Sequence, residues 1–130
     1  MKIPFHVPVY DDTDAAALAQ SIASGSLVGD GPATRRVTAA LARDLGVRHA
    51  LLTPSCTHAL ELAMMTLDLE PGDDVIVPSF TFVSSTNAIL RRGARVVFAD
   101  VDPATLTLTA DEVRARITPR TRAIMPVVYA

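Results

Sequence analysis

Lysine is almost missing from this sequence. It occurs once, at Lys2, and the other eleven basic residues are arginines. Chemistry that needs an internal lysine nucleophile therefore cannot be completed by these residues alone. Cysteine also occurs once, at Cys56, which excludes an internal disulfide. His6, His49 and His58 show no metal-like spacing and there is no Cys/His cluster, so no metal site is expected. The net charge is −2, too little to draw nucleic acid or an anionic membrane to the chain. No apolar run is long enough to span a bilayer and the N-terminus is not signal-like, so a cytoplasmic protein without membrane contact is expected. No G-x-G-x-x-G follows the first expected strand, which counts against a Rossmann-like nucleotide binder.

What is present reads as folded. The composition is 49% hydrophobic and 20% charged, that of a soluble globular chain. The chain is organised around Leu51-Leu52-Thr53-Pro54-Ser55-Cys56-Thr57-His58-Ala59-Leu60. A short apolar run, expected as a strand over 49–53, stops at Pro54. A small-polar turn follows, then an apolar stretch, Ala59 to Leu67, expected as a well-buried helix. The first N–H groups of a helix lack intrahelical partners and carry partial positive charge, so such a turn can cradle a phosphate. Ser55 and Thr57 would add hydroxyl donors. Either can equally be an N-cap, the commoner fate of such residues.

The flanking sequence supplies the context. Residues 2–10 read as an extended arm. Asp12 or Thr13 can cap a helix to Ser24, with Leu18 and Ile22 on one face and Gly25 as its stop. Ser24–Pro32 is a loop with three glycines. Thr34–Leu45 reads as a second helix, striped by Val37, Leu41 and Leu45 and ended by Gly46. Strands are expected at Asp74–Val77, Val96–Ala99 and Ala123–Val128. Helices are expected before Gly93 and, from a Thr109/Glu112 capping box, to Arg116. From His49 on, the order βαβαβαβ predicts an α/β fold with a mostly parallel sheet flanked by helices. Ligands of such sheets bind beyond the carboxyl ends of the strands. The Ser55–Thr57 turn and the polar segment Ser79–Thr86 should then open on the same edge.

Other constellations have plainer explanations. Cys56 reads as a small residue in a tight turn and His58 as solvated or locally bonded. Asp100 and Asp102 read as turn or cap formers. Arg114, Arg116, Arg120 and Arg122 lack the interleaved aromatics of a nucleic-acid surface. Phe80 and Phe82 are either core filler or a flat face for an aromatic ligand.

Several ordered motifs resemble the DegT/DnrJ/EryC1/StrS sugar aminotransferases. They are Ile3-Pro4-Phe5, Gly25–Gly31, Leu52–Glu61, Pro71–Ser84, Arg92-Gly93-Ala94 and Ile117–Ile124. The resemblance implies the N-terminal part of an aspartate-aminotransferase-like (fold type I) large domain. Residues 1–46 would be arm and helices, and residues 47–130 βα units. It implies pyridoxal 5′-phosphate (PLP) as cofactor, with Ser55, Cys56 and Thr57 at the phosphate and Phe82 stacked on the ring. Gly29, Asp30 and Gly31 would form a loop near the substrate and the subunit interface of a homodimer. The implied reaction moves an amino group from glutamate to a 4-keto-6-deoxy nucleotide sugar, and the Ser-Cys-Thr and Gly-Asp-Gly wording is most similar to members acting on dTDP-4-dehydro-6-deoxyglucose.

The resemblance also identifies what is missing. The family's Schiff-base lysine, and the aspartate that pairs with the pyridine nitrogen, match no residue here. Val128 stands where the family usually has His. The expectation is an N-terminal piece, truncated or split, that is inactive alone and completed by a C-terminal chain, or else a non-catalytic binding or assembly fragment.

Overall fold

The computed structural model describes residues 3–129. The chain divides into two compact units, Met1–Leu52 and Thr53–Ala130.

In the first unit residues 3–10 are exposed and have no regular structure. Helix α1 spans Asp12–Ala23. Its cap is Asp11, one residue before the expected cap. The Asp11 carboxylate accepts from the N–H groups of Thr13 and Asp14, and the Asp14 carboxylate accepts from Asp11 N–H. Only from Asp11 does Asp14 stand at the third helical position, where this reciprocal pair can close. Helix α2 spans Pro32–Asp44, starting two residues earlier than expected because Pro32 has the backbone angle of a first helical residue and no N–H to leave unsatisfied. The apolar stripes of α1 and α2 stay exposed, and neither helix contains a buried residue.

Residues 49–53 do not form the expected strand. A strand exists only where a neighbour supplies ladder partners, and the described sheet has no strand beside them.

The second unit begins its regular structure with helix α3, Cys56–Met65, followed by strand β1, Asp74–Pro78, and helix α4, Ser84–Leu90. Strand β2, Arg95–Ala99, helix α5, Ala110–Arg114, and strand β3, Thr121–Ile124, complete it. The sheet order is β2-β1-β3 and both pairings are parallel. The α/β class with a parallel sheet flanked by helices is as the sequence implies. β3 is shorter than expected and ends before Met125, so Val128 lies outside it.

Strand β1 is buried along its whole length, as a central strand covered on both faces must be. Side chains alternate across a strand. Val75 and Val77 therefore point together into a core with Met64, Leu69, Ala88, Ile89, Ala94 and Met125. The expectation that α3 is well buried is not met. Met64 is its one buried residue, and Met65 is exposed, because α3 packs on α4 along one side only. Gly93 takes φ +74 just after α4 and turns the chain into β2.

A buried carboxylate ties the three strands together at their amino ends. Asp74 is fully buried. It receives Nε and Nη2 of Arg95 at 2.7 and 2.9 Å and the Thr118 hydroxyl at 3.1 Å, and Arg120 lies 3.8 Å away. The Arg95 bond, then Thr118 and the two guanidinium charges, hold its carboxyl below the usual range, and Asp74 in turn raises Arg95.

Candidate functional site

Two hydroxyl-bearing turns meet beside β1. Ser55 precedes α3 in extended backbone. Its Oγ accepts from His58 N–H at 3.4 Å and lies 2.8 Å from His58 Nδ1, so it serves as the cap. The Ser55 carbonyl accepts from the Thr53 hydroxyl at 2.9 Å and from Ala59 N–H at 3.1 Å. Among the described residues, the N–H groups of Cys56 and Thr57 have no acceptor. They are the free donors that helix geometry leaves at this end.

The second turn follows β1 and enters α4. The hydroxyls of Thr57 and Ser84 are 2.7 Å apart, which confirms that the two polar segments open on one edge. A second hydroxyl pair, Thr81 with Ser85, sits close by at 2.8 Å. Ser84 and Ser85 are both buried. A pair of hydroxyls consumes one of its two protons internally, so each pair keeps one O–H to donate to a ligand.

These groups line a cavity of about 430 Å³, in the range of small-molecule sites. Cys56, Thr57, Thr81, Phe82, Ser84 and Ser85 form its polar and aromatic side, and the segment from Met125 to Tyr129 forms an apolar wall. Phe82 is 72% exposed, so it is not core filler. Phe80 packs on Tyr129 with ring centroids 5.1 Å apart. No arginine, lysine or carboxylate lines the cavity among the described residues. Anion binding here would rest on oriented N–H and O–H dipoles.

The candidates from the sequence thus separate. Cys56, Thr57 and Phe82 come together at the cavity. Ser55 is adjacent but faces its own helix and is not part of the lining. Gly29, Asp30 and Gly31 belong to the first unit, where Asp30 takes φ +56 and Gly31 caps α2. Ser84, Ser85, Thr81 and Tyr129 were not singled out by the sequence. The polar run after β1 was the available signal for the first three.

The remaining constellations resolve locally. Asp102 caps a turn through the N–H groups of Ala104 and Thr105, and Asp100 accepts from Ser79. The four arginines of the basic cluster engage carboxylates. Arg114 pairs with Asp111, Arg116 with Glu112, Arg120 with Asp74 and Arg122 with Asp73. Thr109 caps α5 as expected, but the Glu112 carboxylate turns to Arg116 and leaves the capping box half made.

The sequence profile of the DegT/DnrJ/EryC1/StrS aminotransferase family matches residues 8–130. The chain belongs to this family. A dTDP-4-dehydro-2,3,6-trideoxy-D-glucose 4-aminotransferase of Saccharopolyspora spinosa is 44% identical over 129 residues, covering 98% of this chain and 33% of that protein. The crystal structure of 3-amino-5-hydroxybenzoic acid synthase superposes with TM-score 0.86 at 42% identity, over 95% of this chain and 32% of its own. A Streptococcus pneumoniae protein named for sugar aminotransferase activity was solved in PMP and PLP forms. Its PMP form gives TM-score 0.87 at 29% identity, over 97% of this chain and 32% of its own. The chain spans a third of the length of these DegT/DnrJ/EryC1/StrS relatives.

The residues present fit the phosphate and ring of PLP. Two free helix N–H groups and two hydroxyl pairs suit a phosphate, and the exposed ring of Phe82 on the same cavity suits a planar heterocycle.

Proposed function

We propose that this chain carries the phosphate-holding and ring-facing wall of a PLP aminotransferase site. The enzyme it serves moves an amino group from glutamate to a 4-keto-6-deoxy nucleotide sugar and works as a homodimer. The observation that carries this reading is the 2.7 Å contact between Thr57 and Ser84, which sets two turns around one cavity beside Phe82. The nucleotide-sugar substrate follows the Saccharopolyspora spinosa relative.

In this reading the N–H groups of Cys56 and Thr57 and the Thr57–Ser84 hydroxyls hold the phosphate. Phe82 covers one face of the ring, and the wall from Met125 to Tyr129 keeps water off the site. PLP, when bound, supplies the electron sink for the amino transfer. Gly29, Asp30 and Gly31 form a loop toward substrate and the partner subunit. The left-handed backbone of Asp30 and the Val28 carbonyl, 3.1 Å from where a side chain at Gly31 would begin, favour one fixed loop shape. The lysine that moves the proton comes from outside residues 1–130, which contain only Lys2.

The test is a chimera in which this chain replaces the matching third of the Saccharopolyspora spinosa relative. It should transfer the amine from glutamate to a dTDP-4-keto sugar and lose that transfer with Thr57→Val. A folded, PLP-loaded chimera without transfer would overturn the substrate assignment.

A further inference from the structure

His58 is the one ring placed against the helix cap at this site. Its Nδ1 lies 2.8 Å from Ser55 Oγ, and the backbone N–H of the same residue donates to that oxygen at 3.4 Å. His58 therefore holds the cap residue from two sides, once with its ring and once with its backbone. The Thr53 hydroxyl holds the Ser55 carbonyl from a third, at 2.9 Å. Ser55 has one proton and two lone pairs, and these contacts engage the oxygen whichever ring nitrogen is protonated. The next two N–H groups, of Cys56 and Thr57, are the free donors, and their direction follows from how the cap fixes the first turn.

We propose that His58 is a positioning residue for the phosphate cradle. It fixes Ser55 as a cap, and the fixed cap aims the N–H groups of Cys56 and Thr57 at the anion. This inference rests on the phosphate reading of the cavity. Ser55 then acts through the first turn of α3 and does not itself touch the phosphate. His58 is exposed, so its removal spares the core.

The experiment uses the 130-residue chain and pyridoxamine 5′-phosphate, whose lack of an aldehyde prevents reaction with Lys2. Affinity is read by calorimetry and the phosphate environment by its ³¹P shift. His58→Ala should weaken binding about three- to tenfold and move the bound ³¹P shift. Ser55→Ala should do the same, and the double variant should be no worse than Ser55→Ala alone. His58→Asn, whose amide can meet Ser55 Oγ, should recover most of the loss. Thr57→Val and Ser84→Ala test the cradle itself. If they lose affinity while His58→Ala does not, or if the His58 and Ser55 losses add, the positioning role is overturned and the cradle stands. If the unsubstituted chain does not bind, or binds equally after Thr57→Val and Ser84→Ala, both readings fall.

Discussion

The hydroxyls of Thr57 and Ser84 lie 2.7 Å apart although 27 positions separate them in the chain. This contact joins the start of α3 to the start of α4, across the strand β1 that lies between them in sequence. If it forms half of a phosphate cradle, the pair donates one O–H to a charged group, and Thr57→Val and Ser84→Ala each disrupt that donation. Each should weaken pyridoxamine 5′-phosphate binding about tenfold or more. The double variant should bind more weakly than either single variant, because no hydroxyl of the pair then remains to donate to the anion. Calorimetric titration of the three variants checks this.

Phe82 offers a ring face and no polar group. Phe82→Ala should weaken pyridoxamine 5′-phosphate about two- to tenfold, the worth of one aromatic contact. It should leave the affinity for inorganic phosphate unchanged. Equal losses for both ligands would remove the ring from Phe82's role.

Lys2 is the sole lysine. Incubated with PLP and glutamate, the 130-residue chain should form pyridoxamine phosphate no faster than free cofactor does. Chromatography of the reaction mixture reads the outcome, and turnover above the free-cofactor control would contradict it.

Asp74 binds its proton less tightly in the folded chain than a free carboxylate does, because Arg95 holds the ionised form. A lowered folded value means that the unfolded chain takes up the proton first as pH falls. The stability from this pair is therefore complete above the ordinary carboxylate value of 3.8 and is lost as pH drops from there through the lowered folded value. Thermal midpoints measured against pH should show a steep acid limb that flattens in Asp74→Asn. At neutral pH the same substitution should lower the midpoint, because it leaves Arg95 without its counter-charge.

Gly93 holds φ +74 at the entry to β2, and a side chain there would begin 3.5 Å from Pro71. The space is adequate and the backbone angle is not. Gly93→Ala should cost about 1–2 kcal/mol, visible as a lower urea midpoint with an unchanged slope.

Much of this was legible in order along the chain. β1 and β2 announce themselves by apolar runs between turns, and Gly25, Gly46 and Gly93 mark the helix ends. The shifted caps of α1 and α2 and the half-made capping box of α5 have local causes, and the larger failures come from dependence on a distant partner. Residues 49–53 have the composition of a strand but no ladder neighbour. Asp74 looks like the polar start of a strand, and nothing nearby announces that Arg95 and Thr118, 21 and 44 positions away, will meet it inside the protein. At the cavity, Thr57 and Phe82 were visible from motif wording, whereas Ser84 was visible only as one member of a polar run, and folding sets it against Thr57. Ser55 was read as either cap or ligand, and a histidine three residues on takes up its oxygen.

Glu61 on α3 lies 3.3 Å from Arg91, the residue that follows α4. With Thr57 and Ser84 at the other end, the two helices are pinned at two points about one helical turn apart along α3. Two pins, added to the packing of α3 on α4, fix the register of one helix along the other. The pins also answer to different solvents. Arg91 is largely exposed, so added salt screens the ionic pin, while the neutral hydroxyl pin is indifferent to it. Added salt should therefore weaken the hold at the Glu61–Arg91 end and leave the Thr57–Ser84 end as it is.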